Sequence, residues 1–237
     1  MSESTISSLS KSAVLERAER LLPEYRAAIA KIPPEAGFGG IWESEMLLFY
    51  AAVQPFEPKQ ILESGRARGK STLVLARCFP DARIISVEFD RQTENAAAAE
   101  AKLKPYQNVD LLYGDSRAIL PRRLQEGAAV LIDGPKGFRA LALALDLLRT
   151  RKPCVVFVHD FPLGAPWRKF VERHWLGAFF GDDPLFEMFQ SLDEERDPRE
   201  NPNRRYGIFA CLPPDLPCPY WQLRLHLLLI WTLRRVF

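Results

Sequence analysis

Apolar positions change their period along the chain, and the change predicts the order of elements. Residues 12–32 and 41–54 carry apolar side chains three and four apart, the helical spacing, with Pro23 interrupting the first segment and "PPEAGFGG" joining the two. From Gln60 onward short β-rich runs, "QILES", "RIISVEF", "VDLLYG", "AAVLID" and "PCVVFVHD", alternate with helical segments. Strands apolar on both faces and separated by helices predict a parallel sheet covered on both sides. Two further runs, "LFEMF" at 185–189 and "YGIFACL" at 206–212, have no apolar helix between them, and the intervening "DEERDPRENPNRR" is charged and broken by proline. That pair predicts an antiparallel hairpin with a long solvated loop. The expected organisation is an N-terminal helical cap over 1–55, an α/β domain over 56–216 and an apolar C-terminal helix or tail over 217–237.

Composition narrows the partners. With 237 residues, 47% hydrophobic and 26% charged, the chain can bury one sizeable core. A net charge of +2 offers no basic excess, so no nucleic-acid partner is expected. Cys78, Cys154, Cys211 and Cys218 are scattered without a CxxC pair, and the polar "MSESTISSLSKS" start has no apolar signal core, which together place the chain in a reducing cytoplasm. The C-terminal "YWQLRLHLLLIWTLRRVF" changes that picture. Its apolar part, Leu227 to Leu233, falls far short of the ~20 residues that span a bilayer. Two expectations follow: the segment lies along a membrane surface, with Arg224, His226, Arg234 and Arg235 at headgroups and Trp221 and Trp231 as anchors, or it packs on its own domain or on a second subunit in a homodimer.

The stretch "ESGRARGKST", Glu63 to Thr72, resembles a phosphate loop, but only three residues separate Gly65 from Gly69 where a Walker A loop needs four. Ala67 and Ser71 likewise break the GxGxxG dinucleotide spacing. What remains is a strand, a tight glycine turn and a helix starting near Lys70 whose amides face a ligand. Glu88 lies 23 residues after Gly65, near the ~20-residue separation at which a carboxylate accepts ribose hydroxyls. Asp115 and Asp133 end the next two strands, so Glu63, Glu88, Asp115 and Asp133 are expected to ring one crevice at the carboxyl end of the sheet and to favour a cationic ligand. An ATPase or kinase using Lys70, Ser71 and Asp133 stays open as an alternative, as does a non-catalytic binding protein on the same fold.

The pattern from about Gln60 to Leu212 resembles the class I S-adenosylmethionine-dependent methyltransferases. The resemblance implies a Rossmann-like, seven-stranded, mostly parallel sheet with helices on both faces and a C-terminal antiparallel hairpin. It also implies S-adenosylmethionine as cofactor. Glu63 and Gly65 would then meet its methionine end, with Gly69 closing the turn and Ser71 among the cofactor-binding residues, Glu88 would meet its ribose, and Asp115 with Ser116 would lie beside its adenine. Ala67 stands where the family's central glycine is usual, and Arg66, Arg68 and Lys70 are expected to point to solvent.

"LIDGPKGFRALALALDLLRTRKPCVVFVHDF" is similar to the small-molecule O-methyltransferases of the catechol and macrolide-sugar type. That likeness implies an acid and a lysine spaced D-x-x-K, here Asp133 and Lys136, with a hydroxyl of a small molecule or glycan as acceptor. Asp133 and Asp160 match ligands for Mg²⁺, although Phe161 replaces the neighbouring acid or asparagine. Without metal, His159 or Lys136 would be the general base, with a pKa lowered by burial. His174 and His226 are expected to pack.

Overall fold

The computed structural model describes residues 9–32, 40–196 and 208–233. Helices α1 (Lys11–Ile29) and α2 (Glu43–Val53) precede strand β1 (Gln60–Ser64). The chain then alternates through α3 (Lys70–Cys78), β2 (Arg83–Glu88), α4 (Glu94–Leu103), β3 (Val109–Tyr113), α5 (Ser116–Arg123), β4 (Ala129–Ile132), α6 (Phe138–Leu148), β5 (Val155–His159) and α7 (Pro166–His174). It ends in β6 (Phe179–Phe180), α8 (Ser191–Arg196), β7 (Phe209–Leu212) and α9 (Tyr220–Leu233).

Seven strands form one sheet in the order β3-β2-β1-β4-β5-β7-β6. The first five are parallel, whereas β7 runs antiparallel to both β5 and β6. Because β1 pairs with both β2 and β4, the strand order reverses there, and a crevice opens at the carboxyl ends of these strands. This is the Rossmann-like architecture that the sequence predicted.

Strand alternation decides which layer each residue joins. Ile61, Ile84, Leu131, Val155, Phe157, Phe209 and Cys211 face α1–α4, while Leu62, Ile85, Val130, Ile132, Val156, Val158, Ala210 and Leu212 face α5, α6, α7 and α9. Helix α2 has all eleven residues buried, so its amphipathic period disappears. Phe49 of that helix meets Phe157 edge to face at 5.1 Å, and a fully buried side chain of this size contributes about 1.5–3 kcal/mol.

Three local expectations are corrected. "LFEMF" is a 3₁₀ helix, Pro184–Phe189, instead of a strand. Pro184 opens it, the Asp183 side chain accepts from Leu185 N, and the two buried residues, Phe186 and Phe189, stand three apart. The strand partner of β7 is Phe179–Phe180, with Phe179 opposite Cys211. Finally, α1 runs through Pro23, which sits on the solvent face, where water can satisfy the carbonyl that the missing N–H releases. Of the expected charged loop 193–205, Asp193 to Arg196 belong to α8 and residues 197–205 lie outside the described residues.

Candidate active site

The turn after β1 is built by backbone proximity. Asp133 N and Gly134 N both donate to Ser64 O, at 2.7 and 2.9 Å, which locks the ends of β1 and β4 together. Gly65 sits at φ +81°, and a Cβ there would stand 2.8 Å from Gly134 N, so only glycine fits. Gly69 caps α3 at φ +82° and packs tightly on α4, where a Cβ would meet Leu103 Cδ1 at 3.0 Å. Ala67, where the family usually carries glycine, holds a left-handed φ of 44°.

Glu63 turns away from the crevice. It is fully buried and accepts hydrogen bonds of 2.5 Å from the hydroxyls of Ser71, Thr72 and Ser86, which tie β1 to α3 and β2. Burial raises its pKa, against the pull of the three hydroxyls and Arg66. Glu63 and Ser71 therefore bond each other instead of lining the cleft. Nor do the loop cations point to solvent as expected. Arg66 is 2% exposed, donates to Ser86 O and Leu112 O, and lies 4.5 Å over the Tyr113 ring. Lys70 Nζ pairs with the buried Glu43 Oε1 at 3.2 Å. The side chains that a phosphate-loop reading needs, Lys70 and Ser71, are thus both engaged inside the fold.

A cleft of about 210 Å³ opens at the ends of β1–β4. Gly65, Glu88, Asp115 and Ser116, four of the seven cofactor candidates, line it together with Gly134, whereas Asp133, expected among the acids of this crevice, is engaged beside it by Lys136 and His159. Glu88 is held by the loop itself: its Oε2 accepts from Arg66 N and Ala67 N at 3.1 and 2.9 Å, and Oε1 accepts from Phe89 N at 2.8 Å. Asp115 caps α5 through Arg117 N and also pairs with the Arg117 side chain, whose hydrogen bond lowers the Asp115 pKa. Phe89, 75% exposed at the cleft edge, and Arg139 also line it, and sequence reasoning missed both. The only signal for Phe89 was its place directly after Glu88.

Beside this cleft the ends of β4 and β5 and the start of α2 bring five charged groups together. His159 Nδ1 lies 2.7 Å from Asp133 Oδ1 and 3.3 Å from Asp160 Oδ1, while Nε2 lies 2.9 Å from Glu45 Oε2. Lys136 Nζ bonds Asp133 Oδ1 and lies 2.8 Å from Asp160 Oδ2. Asp160 directs its carboxylate here from a left-handed φ of 63°, a conformation aspartate tolerates. Glu45, 3% exposed at the head of an apolar helix, was not foreseen; its signal was an acid embedded in the apolar run "WESEMLLFY".

The electrostatics correct the expected base. Burial alone would lower the His159 pKa, but Glu45 and Asp133 outweigh it and raise the value to about 10. Burial also opposes the charge on Lys136, yet Asp133 and Asp160 raise its pKa. Asp133 moves the other way: burial would raise it, but His159 and Lys136 hold it at about 2. The ring nitrogens each face a carboxylate, so the ground state is an imidazolium and an ammonium amid three carboxylates. His174 and His226 lie away from this cluster, their rings 5.2 Å apart.

Comparison with known proteins agrees with the topology. Residues 62–161 match a family model described as a methyltransferase domain. A proposed O-methyltransferase from Klebsiella pneumoniae superposes with a TM-score of 0.51 at 18% identity, covering 84% of this chain and 89% of its own. The O-methyltransferase TomG from Streptomyces achromogenes, solved with SAM, gives 0.48 at 20% identity over 84% and 89%. An O-methyltransferase from Bacillus cereus in complex with SAH gives 0.48 at 17% over 84% and 90%. No curated protein matches the chain in sequence. At these identities the likeness is one of fold. Residues 62–161 are thus similar to a methyltransferase domain, and the chain as a whole carries the seven-stranded Rossmann-like methyltransferase fold.

Proposed function

We propose that the protein transfers a methyl group from S-adenosylmethionine to a hydroxyl of a small molecule or glycan. The observation that carries this reading is the pairing of two sites on one strand-end surface: a glycine-walled cleft with Glu88 fixed at its rim, and the Asp133–Lys136–His159–Asp160 cluster immediately beside it.

The cleft residues fit the cofactor. Glu88 is oriented by three backbone amides and keeps lone pairs for ribose hydroxyls. Phe89 offers an exposed ring at the edge, Ser116 and Asp115 offer polar groups for the adenine end, and Gly65 and Gly134 leave backbone exposed toward the methionine end. S-adenosylmethionine, when bound, supplies an electrophilic methyl group. The chain contributes orientation and management of one proton. Asp133, ionised throughout the physiological range, and the Lys136 ammonium hold a hydroxyl between acceptor and donor groups. His159 becomes a base only after losing its own proton, so the rate is expected to climb with pH toward about 10.

Mg²⁺ does not fit these residues. The ligand atoms of Asp133, His159 and Asp160 do lie within 4.8 Å of one another, but the Lys136 ammonium already bridges both carboxylates. Both His159 nitrogens face carboxylates, and Phe161, fully buried, offers no oxygen where a further ligand would stand. No step is assigned to a metal.

The test is transfer of isotopically labelled methyl from S-adenosylmethionine to a panel of phenols, sugars, glycans and amines. Label should enter a hydroxyl and be lost in Lys136→Met. Label entering amines alone would overturn the acceptor class.

A further inference from the structure

Helix α9 carries apolar side chains on two opposite sides but packs on the molecule with only one. Leu223 and Leu227 are buried against α6 and α7. On the opposite side Trp221, Leu225, Leu228 and Leu229 are 64, 47, 52 and 48% exposed, and their spacing aligns them in one stripe. Leu176, 99% exposed, follows closely on His174, whose ring contacts His226 of the same helix. Scattered exposed leucines need no explanation, but a continuous stripe marks a contact surface.

Charge indicates what the surface meets. Residues 217–237 contain no Asp or Glu, yet carry Arg224, Arg234, Arg235 and His226. At the start of α9 the guanidinium groups of Arg149 and Arg224 lie 4.8 and 6.0 Å from the Tyr220 ring, and the nearby acid, Asp146, accepts from the Tyr220 hydroxyl and lies 3.9 Å from Arg224, leaving two cations to one carboxylate there. Among the described residues no helix is long and apolar enough to cross a membrane. An apolar stripe bordered by cations, with tryptophan at each end of the helix, is the composition of a helix lying in the plane of a lipid interface. Pairing the same face with a second copy would bring Arg224 and its neighbours against their own kind, which electrostatics opposes.

We propose that the outer face of α9 docks on an anionic lipid surface and holds the methyltransferase domain there. The test is co-sedimentation of the full chain with phosphatidylcholine vesicles containing or lacking phosphatidylglycerol, alongside a Leu225→Gln/Leu229→Gln variant. Phosphatidylglycerol vesicles should capture the wild type, with binding weakened by salt and roughly tenfold or more by the double substitution. Circular dichroism checks that the variant is folded, and Trp221→Ser, at the most exposed position of the stripe, repeats the test if it is not. Equal sedimentation with and without vesicles, or equal binding by wild type and folded variant, would overturn the proposal. So would a wild-type dimer that the same substitutions dissociate while vesicles bind neither form; α9 would then be a subunit interface.

Discussion

Glu45 Oε2 lies 2.9 Å from His159 Nε2, which joins the second helix of the chain to the end of the fifth strand. Across the same ring Asp133 holds Nδ1 at 2.7 Å, so a buried and a half-buried carboxylate fix one imidazolium. Since the folded pKa of His159 lies above its ordinary value of 6.5, its contribution to stability is full below 6.5 and is lost as pH rises through about 10. Glu45→Gln should lower the His159 pKa by more than a unit, flatten this alkaline loss, and cost about 3 kcal/mol at neutral pH. Histidine NMR is a direct check, because the chain has only three histidines. A His159 that is neutral at pH 8 in the wild type would contradict the arrangement.

Glu63 is a structural brace in this fold. Glu63→Ala leaves the hydroxyls of Ser71, Thr72 and Ser86 without their acceptor and opens a cavity, so denaturant unfolding should show a loss of about 3 kcal/mol or more. Glu63→Gln keeps an acceptor and should cost about 1 kcal/mol. Equal stability of Glu63→Ala and wild type would show that the network carries no weight.

The two positions flanking Arg66 should respond with opposite sign. Gly65→Ala drives a Cβ to 2.8 Å from Gly134 N at a left-handed φ, and should destabilise by about 2 kcal/mol or more while weakening ligand binding in the cleft. Ala67→Gly relieves a left-handed alanine and should stabilise the fold, by at most about 1 kcal/mol after the entropy of glycine is subtracted, which a higher thermal midpoint would report.

Lys70→Ala separates the cofactor reading from the phosphate-loop reading. Removing the ammonium takes the cation from Glu43, which at 1% exposure keeps the Tyr25 hydroxyl, and should cost about 3 kcal/mol. Binding of S-adenosylmethionine to the folded fraction should persist, since Lys70 does not line the cleft. Loss of all nucleotide binding with unchanged stability would favour the alternative.

Much of this fold was legible because strand periodicity is a local signal. The runs from "QILES" to "VVFVH" became β1–β5 in order, and the acids after β2 and β3 reached the cleft as their strand-end positions implied. "LFEMF" misled because an apolar pentapeptide fits a strand and a 3₁₀ turn equally well; Asp183 and Pro184 decided the outcome. Glu63 misled for a different reason. Its place at a strand end suggested the crevice, but side-chain direction alternates along a strand, and three hydroxyls waiting under α3 captured it. The expected lowering of the His159 pKa failed because burial was visible in sequence whereas Glu45, more than a hundred residues from His159, was not.

The proposed function requires the Glu88 cleft to hold an adenosyl ligand. Isothermal titration with S-adenosylmethionine and S-adenosylhomocysteine, with ATP and magnesium as the competitor, tests it most directly. Saturable binding of both adenosyl compounds, lost or weakened at least about tenfold in a folded Glu88→Ala variant, is the predicted result. Binding of ATP alone, or adenosyl binding indifferent to Glu88→Ala, would contradict it.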